Sequence, residues 1–492
     1  METTIEQIQN FKGKYPKQLW YLFFSEMWER FSFYGMRGML TYFMINVLVM
    51  NEEAANLQYG ATQAFVYAFT FIGGMFADKI LGFRKSLFWG GILMIIGSVI
   101  LAIDPKNFFF IGIAFNIIGT GFFKPNISTM VGRLYKDGDE RRDSGFSLFY
   151  SGINIGALIG GYVCIALGKS YSWNIAFGLA AIVMTISLLT FLFTQKSLGP
   201  IGLSPLANDE KSVRQRKEWM VFIGSVICIP LISIMVKQTE YTDYFMYTIG
   251  PLTLVYFLIE TFKLNKSEQN KMWAALVFIL FSIMFWAFFE QSGGSLSIFA
   301  ANHLGTELLG FITVDPNGVN NAANSLFVIA FAPILGIIWV AMSKRKSEPN
   351  TMVKFSLGFF FLGAAFLTLY ATIFVADENG MTSLDVFTLA YFIMTLGELC
   401  LSPIGLSIMT KLAPTHLQGM MMGMWFLASA YGQYVAGLLG AGMSLPNEQA
   451  TKLEKLTSYT HGYYQLAIIA VVCGVLLLIF SKQVKKLMQD VK

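Results

Sequence analysis

Apolar residues along the chain come in long blocks separated by short polar segments. Fourteen blocks lie near positions 18–49, 57–78, 84–103, 107–132, 142–168, 173–195, 218–236, 244–262, 271–301, 319–343, 353–376, 384–412, 416–443 and 460–482. About twenty apolar residues wound as an α-helix cross the hydrocarbon layer of a bilayer. The pattern therefore predicts an all-α integral membrane protein with fourteen transmembrane helices. The longest polar interruption is SLGPIGLSPLANDEKSVRQRK, Ser197–Lys217, which reads as a solvated linker. It divides the chain into a first six-helix bundle (1–196), a linker with two additional helices (197–265) and a second six-helix bundle (266–492).

Composition sharpens this. The chain is 55% hydrophobic and only 13% charged, against about 25% charged for a soluble domain. Too few charges are present to cover a water-facing surface of this size. The net charge of +5 does not imply nucleic acid, because Lys and Arg sit in short clusters between the apolar blocks. With both termini placed in the cytoplasm, 27 Lys and Arg fall in inside loops and tails. Only five fall outside: Lys106, Lys169, Lys237, Lys452 and Lys455. That asymmetry obeys the positive-inside rule. Dropping the middle pair of blocks would preserve the orientation, so the length and apolarity of both favour fourteen spans over twelve. The N-terminal METTIEQIQNFKGKYPKQ lacks the basic segment, apolar run and cleavage site of a signal peptide, so the first span is expected to be retained. The four cysteines stand singly inside apolar blocks and read as packed free thiols.

Seven charges remain at membrane depth: Arg30, Arg37, Lys124, Glu26, Glu29, Glu290 and Glu398. Each costs about 2.5–3.5 kcal/mol near the bilayer centre on insertion scales, so each must be paired or face an aqueous cavity. Glu26, Glu29, Arg30, Tyr34 and Arg37 recur at helical spacing and form one polar stripe on the first span. Static ion pairs that fix helix packing are the bland alternative. Cations and carboxylates lining one cavity suit a ligand with an anionic and a cationic end. Carboxylates in such a place are also suited to loading and releasing protons. His303, His416 and His461 fall in loops or at span ends, so proton carriage falls to the glutamates. Further wall candidates are Trp286, Asn154, Trp425 and Phe426, with Pro125, Pro333 and Pro403 interrupting spans. A packing role competes with a pocket role at each. No nucleophile–base cluster, HExxH, CxxC or cofactor loop is present, which argues against an enzyme, a metal site or a bound cofactor. No soluble signalling domain supports a receptor.

Six motifs carry a resemblance. Gly74–Lys85, GMFADKILGFRK, looks like the loop between the second and third spans of the major facilitator superfamily, with one extra residue before Gly82. Glu26–Gly35, EMWERFSFYG, resembles the ExxERFxYYG motif of the proton-dependent oligopeptide transporter family. FKPNIS, FYSGINIGA, FWAFFEQ and GELCLSPIGLS resemble that family too, as does the extra helix pair. The resemblance implies the major facilitator superfamily fold, with two six-helix bundles, two extra helices and alternating access. It implies inward symport of di- and tripeptides with protons, by a monomer in a bacterial cytoplasmic membrane. Carried over by position, Arg30, Tyr34, Arg37 and Lys124 face the peptide carboxylate and Glu398 its amino end. Asn154 and Asn324 bond its backbone, Tyr67 and Ser402 line the site, and Trp286, Trp425 and Phe426 shape side-chain pockets. Glu26, Glu29 and Glu290 handle protons, with an Arg37–Glu290 pair made or broken as the proton arrives. Phe33 departs from the motif's first tyrosine, which bears on peptide selectivity. A nitrate, drug or other metabolite carrier is the nearest rival, although nitrate would leave Glu398 without a purpose.

Overall fold

The computed structural model describes residues 4–136, 138–401, 405–445 and 449–489. Among the described residues, each of the fourteen apolar blocks coincides with helix. After a short α1 (Ile5–Gln9) come α2 (Lys17–Asn46), α3 (Glu52–Phe76), α4 (Phe83–Ile103), α5 (Phe109–Gly132), α6 (Arg141–Ser170) and α7 (Trp173–Thr194). The additional pair is α8 (Lys211–Lys237) and α9 (Thr239–Phe262). The second half holds α10 (Lys266–Phe289), α11 (Ser295–His303), α12 (Pro316–Lys344), α13 (Thr351–Ala371), α14 (Leu384–Leu401), α15 (Gly405–Leu412), α16 (Gln418–Met443) and α17 (Lys452–Met488). Among the described residues, eleven helical segments are long and apolar enough to cross a membrane. Outside that set stand α2, with its charged stripe, and α5 and α16, rich in glycine and polar residues.

The helices cluster into two compact units, 1–40 with 65–238, and 41–64 with 239–492. In unit 1, α4 packs on α5 and α7, and α6 packs on α7. In unit 2, α13 packs on α14 and α17, and α10 on α16. The core of unit 2 is aromatic and aliphatic: Phe278, Phe285, Phe355, Phe359, Phe366 and Tyr463 are all buried. The additional pair is divided. In unit 1, α8 is fastened by Lys85 Nζ to Glu218 Oε1 at 2.6 Å and by Trp89 Nε1 to Ser225 Oγ at 2.9 Å. In unit 2, the Tyr434 hydroxyl donates to Asp243 of α9 at 2.6 Å.

The linker departs from its sequence reading. Its 197–204 stretch does not lie free in solvent but is bound to the start of α4. Arg84 Nε donates to Ile201 O at 2.7 Å, its terminal nitrogen reaches Gly199 O, and its backbone N–H donates to Gly202 O at 3.0 Å. Ser204 Oγ donates to Ile80 O at 2.6 Å, and Gln18 Nε2 to Ser197 O at 3.0 Å. A segment turning at glycines and prolines leaves its carbonyls without ladder partners. The forked guanidinium supplies several donors at once. Arg84→Ala is expected to release this segment, seen as new protease cleavage within 195–210 while the helical bundle stays intact.

The segment from Thr4 to Phe11 is likewise tied down. Thr4 and Gln7 form a capping box on α1, and Gln9 Nε2 donates to the carbonyls of Arg133 and Tyr135, both at 3.2 Å. The Arg141 guanidinium lies 3.9 Å from the Phe11 ring and bonds Asp139, whose carboxyl it pulls down to about 2.

Candidate substrate and proton site

Unit 1 carries the stripe on α2. Glu26, Glu29 and Arg30 are each within 1% of full burial. Arg30 Nε lies 2.9 Å from Glu26 Oε1 and 2.5 Å from Glu29 Oε2, so one guanidinium serves two carboxylates. Its flat face lies 5.4 Å from the Phe33 ring, the position where the family motif has tyrosine. One turn on, the half-buried Arg37 has its guanidinium carbon 5.7 Å from the Tyr34 ring. Lys124 of α5 stands over the Tyr67 ring of α3 at 4.5 Å, a cation–π contact, and interacts electrostatically with both Glu26 and Glu29.

Close backbone approach holds this stripe in place. A Cβ at Gly156 of α6 would sit 2.1 Å from Met27 O and 3.0 Å from the Arg30 Cβ. The neighbouring Asn154 is buried and gives one amide hydrogen to Tyr150 O in its own helix at 3.0 Å.

Unit 2 holds the other candidates. Glu398 of α14 is buried, and Asn324 of α12 donates to its Oε2 at 2.7 Å and to Thr395 Oγ1 at 3.2 Å. The structure thus gives Asn324 a partner that sequence reading did not: it orients Glu398. Trp286 of α10 packs edge-on against Phe285 and Phe289, and Gly432 of α16 admits its Cβ closely. Trp425 is buried and Phe426 half-buried on α16. Ser402 and Pro403 lie outside the described residues.

Glu290 opens a four-residue 3₁₀ turn, Glu290–Gly293, that interrupts the ninth apolar block between α10 and α11. Several side chains close the break. Gln291 Nε2 donates to Ala287 O at 3.1 Å and Ala436 O at 3.0 Å, and Ser295 Oγ donates to Gln291 Oε1 at 2.6 Å. The Thr41 hydroxyl donates to Gly293 O. The run QSGG after Glu290 is the one sequence signal of this feature, since glycine pairs and small polar residues accompany helix breaks.

Sequence reading also missed the cluster around Glu52 in unit 2. Tyr459 donates to Glu52 Oε2 at 2.6 Å, and Lys455 and Asn302 approach its Oε1 at 3.4 and 3.3 Å. His303, at a span end as expected, is wholly buried beside Tyr459. The four cysteines are free, as their spacing indicated. No metal-holding group of His, Cys, Asp or Glu occurs among the described residues.

Comparison with known proteins places this geometry. The model of the POT family (PTR2) matches residues 84–457. An uncharacterized transporter of Bacillus subtilis, YclF, is 33% identical over 97% of this chain and 96% of its own length. The peptide transporter YePEPT of Yersinia enterocolitica is also 33% identical, covering 97% of this chain and 96% of its own. A crystal structure of a peptide transporter POT in complex with sulfate superposes with a TM-score of 0.83 at 32% identity, covering 99% of this chain and 100% of the other. These relatives are transporters rather than enzymes, and their fold is that of the major facilitator superfamily. By a family model over most of its length and by end-to-end relatives at one-third identity, the chain belongs to the POT family, the proton-dependent oligopeptide transporters that its first-span motif resembles.

Proposed function

We propose that this chain imports di- and tripeptides together with protons by alternating access, as a monomer in a bacterial cytoplasmic membrane. One observation carries the reading: Glu26 and Glu29 share Arg30 in a buried cluster that Lys124 also influences. Two carboxylates and two cations balance there. A peptide carboxylate arriving at Lys124 adds one negative charge, which apolar surroundings tolerate poorly. A proton on Glu26 or Glu29 restores neutrality, so peptide and proton favour each other's binding. No cofactor beyond the proton enters this cycle.

The remaining residues take roles consistent with it. Arg30 serves chiefly by organising the two glutamates, while Tyr34, Arg37, Tyr67 and Lys124 meet the carboxylate end. Glu398, held by Asn324, meets the ammonium end, and Asn154 the peptide backbone. Trp286, Trp425 and Phe426 shape the side-chain pockets, Ser402 lines the site, and Glu290 is the coupling carboxylate of unit 2. The bundles 1–196 and 266–492 act as the moving bodies, with 197–265 joining them. The excess of Lys and Arg in alternate loops supports cytoplasmic termini.

Uptake of a labelled dipeptide into proteoliposomes tests the proposal, with pH gradient and voltage imposed independently. Uptake against a concentration gradient, driven by inward protons and displaced by unlabelled di- and tripeptides, is the expected result. Transport that nitrate displaces but dipeptides do not would refute the substrate, and uptake indifferent to both gradients would refute the symport.

At Glu398, Asn324→Ala removes the donor that fixes the carboxylate while leaving the charge. A hydrogen bond to a charged group is worth about 1.5–3 kcal/mol, so apparent KM for dipeptide should rise by about tenfold or more. An unchanged KM would show that Glu398 needs no orienting partner.

A further inference from the structure

The break after Glu290 is closed by a pair of residues far from it in sequence. Asn320 Nδ2 on α12 donates to Ser292 O at 2.9 Å, inside the 3₁₀ turn. The Tyr391 hydroxyl on α14 donates to Asn320 Oδ1 at 2.6 Å, which fixes which way the amide faces. Both residues are buried. A carbonyl freed from the helical ladder at membrane depth needs a substitute donor, and Asn320 supplies one for Ser292. Without it, the cheapest remedy is for the turn to rewind as α-helix. Rewinding changes the rotation per residue from about 120° to about 100°, so the four residues Glu290–Gly293 would turn Glu290 by roughly 80° relative to α11.

We infer that Asn320 and Tyr391 are positioning residues for proton coupling: they hold the 290–293 turn and so set the direction of the Glu290 carboxylate. The inference rests on the reading of Glu290 as a coupling carboxylate. It predicts a particular split. Substrate binding and exchange use the pocket, while gradient-driven accumulation also needs Glu290 in register with the proton's path. Losing the Ser292 bond should therefore lower accumulation and spare exchange. A merely structural role would lower both together.

The variants are Asn320→Ala, Tyr391→Phe and, as the reference for coupling, Glu290→Gln. Asn317→Ala is the control, because Asn317 Nδ2 donates to Ser297 O at 2.8 Å, also from α12 but onto the regular helix α11. Proton-driven accumulation of labelled dipeptide and counterflow exchange without a gradient are measured on the same full-length proteoliposomes. Glu290→Gln should abolish accumulation and keep exchange. Asn320→Ala and Tyr391→Phe should each cut accumulation about fivefold, with exchange within about twofold of the parent. Asn317→Ala should leave the ratio of the two unchanged. Tyr391→Phe keeps the buried ring, so it carries the test if Asn320→Ala does not fold. A parallel loss of both activities in these two variants, or a parental ratio, overturns the positioning role alone. Normal accumulation by Glu290→Gln overturns the coupling role of that carboxylate, and the positioning role falls with it.

Discussion

Replacing Lys124 by alanine should lower dipeptide transport about a hundredfold, in gradient-driven uptake and in exchange alike, whereas Glu29→Gln should abolish only the gradient-driven mode. The argument is one of charge. Lys124 belongs to the unit 1 cluster: it stands over Tyr67 on a neighbouring helix and interacts electrostatically with both Glu26 and Glu29. On the proposed reading, its removal takes away the partner of an incoming peptide carboxylate. It also leaves Arg30 alone against two buried glutamates. A charge-assisted hydrogen bond is worth about 1.5–3 kcal/mol, and about 1.4 kcal/mol is tenfold in affinity. Glu29→Gln acts differently: the amide mimics a protonated carboxyl, so the cluster accepts peptide but has lost a place for the proton to come and go. Exchange needs no net proton movement and should persist. The measurement is paired uptake and counterflow in liposomes. Full gradient-driven accumulation by Glu29→Gln would remove that carboxylate from the coupling path. Near-parental transport by Lys124→Ala would show that the peptide carboxylate is bound elsewhere.

How much of this was legible in the sequence follows from how local each feature is. The spans were, because apolar block length is set by bilayer thickness and each block shares its segment with a helix. The boundaries were less so. Apolar residues at 460–482 mark the last span, but α17 starts at Lys452, where Thr451 and Glu454 form a capping box. That T-x-x-E signature lies in plain view outside the apolar block. Likewise α8 begins at Lys211, since the charged run KSVRQRKEW continues the helix beyond the hydrocarbon. The stripe from Glu26 to Arg37 was legible because helical periodicity alone puts it on one face. The linker's docking was not, as it depends on Arg84 meeting carbonyls more than a hundred positions away. Neither was the Asn320–Tyr391 pair, which joins residues of two helices 71 positions apart. Side chains that serve backbone breaks leave no periodic trace.

Gly156→Ala should disable the protein by the smallest possible change, one methyl group. Helices in a bilayer associate through close backbone contact at small residues, since burial from water supplies no drive between them. At Gly156 this contact is extreme: the added Cβ would lie 2.1 Å from Met27 O and 3.0 Å from both the Arg30 Cβ and the Phe31 N. Two of these three neighbours are backbone atoms, so no side-chain rotation relieves the overlap. Only separation of α6 from α2 does, by about 1 Å or more. Overpacking of this kind costs about 1–3 kcal/mol. The displaced segment carries Glu26, Glu29 and Arg30, and a misplacement of about 1 Å at a reacting site can cost about a hundredfold in rate. The variant is thus expected to unfold at lower temperature in detergent and to lose dipeptide transport nearly completely. Gly178→Ala on α7 is the matched control, because its Cβ would meet only Ala102 Cβ at 3.8 Å, an ordinary contact. There the substitution should be neutral, or stabilise by about 0.5–1 kcal/mol through the alanine's better helix propensity. Equal melting temperatures and equal uptake for both variants would mean that α2 and α6 do not depend on contact at Gly156, and that the charged stripe is held in place by something other than this helix crossing.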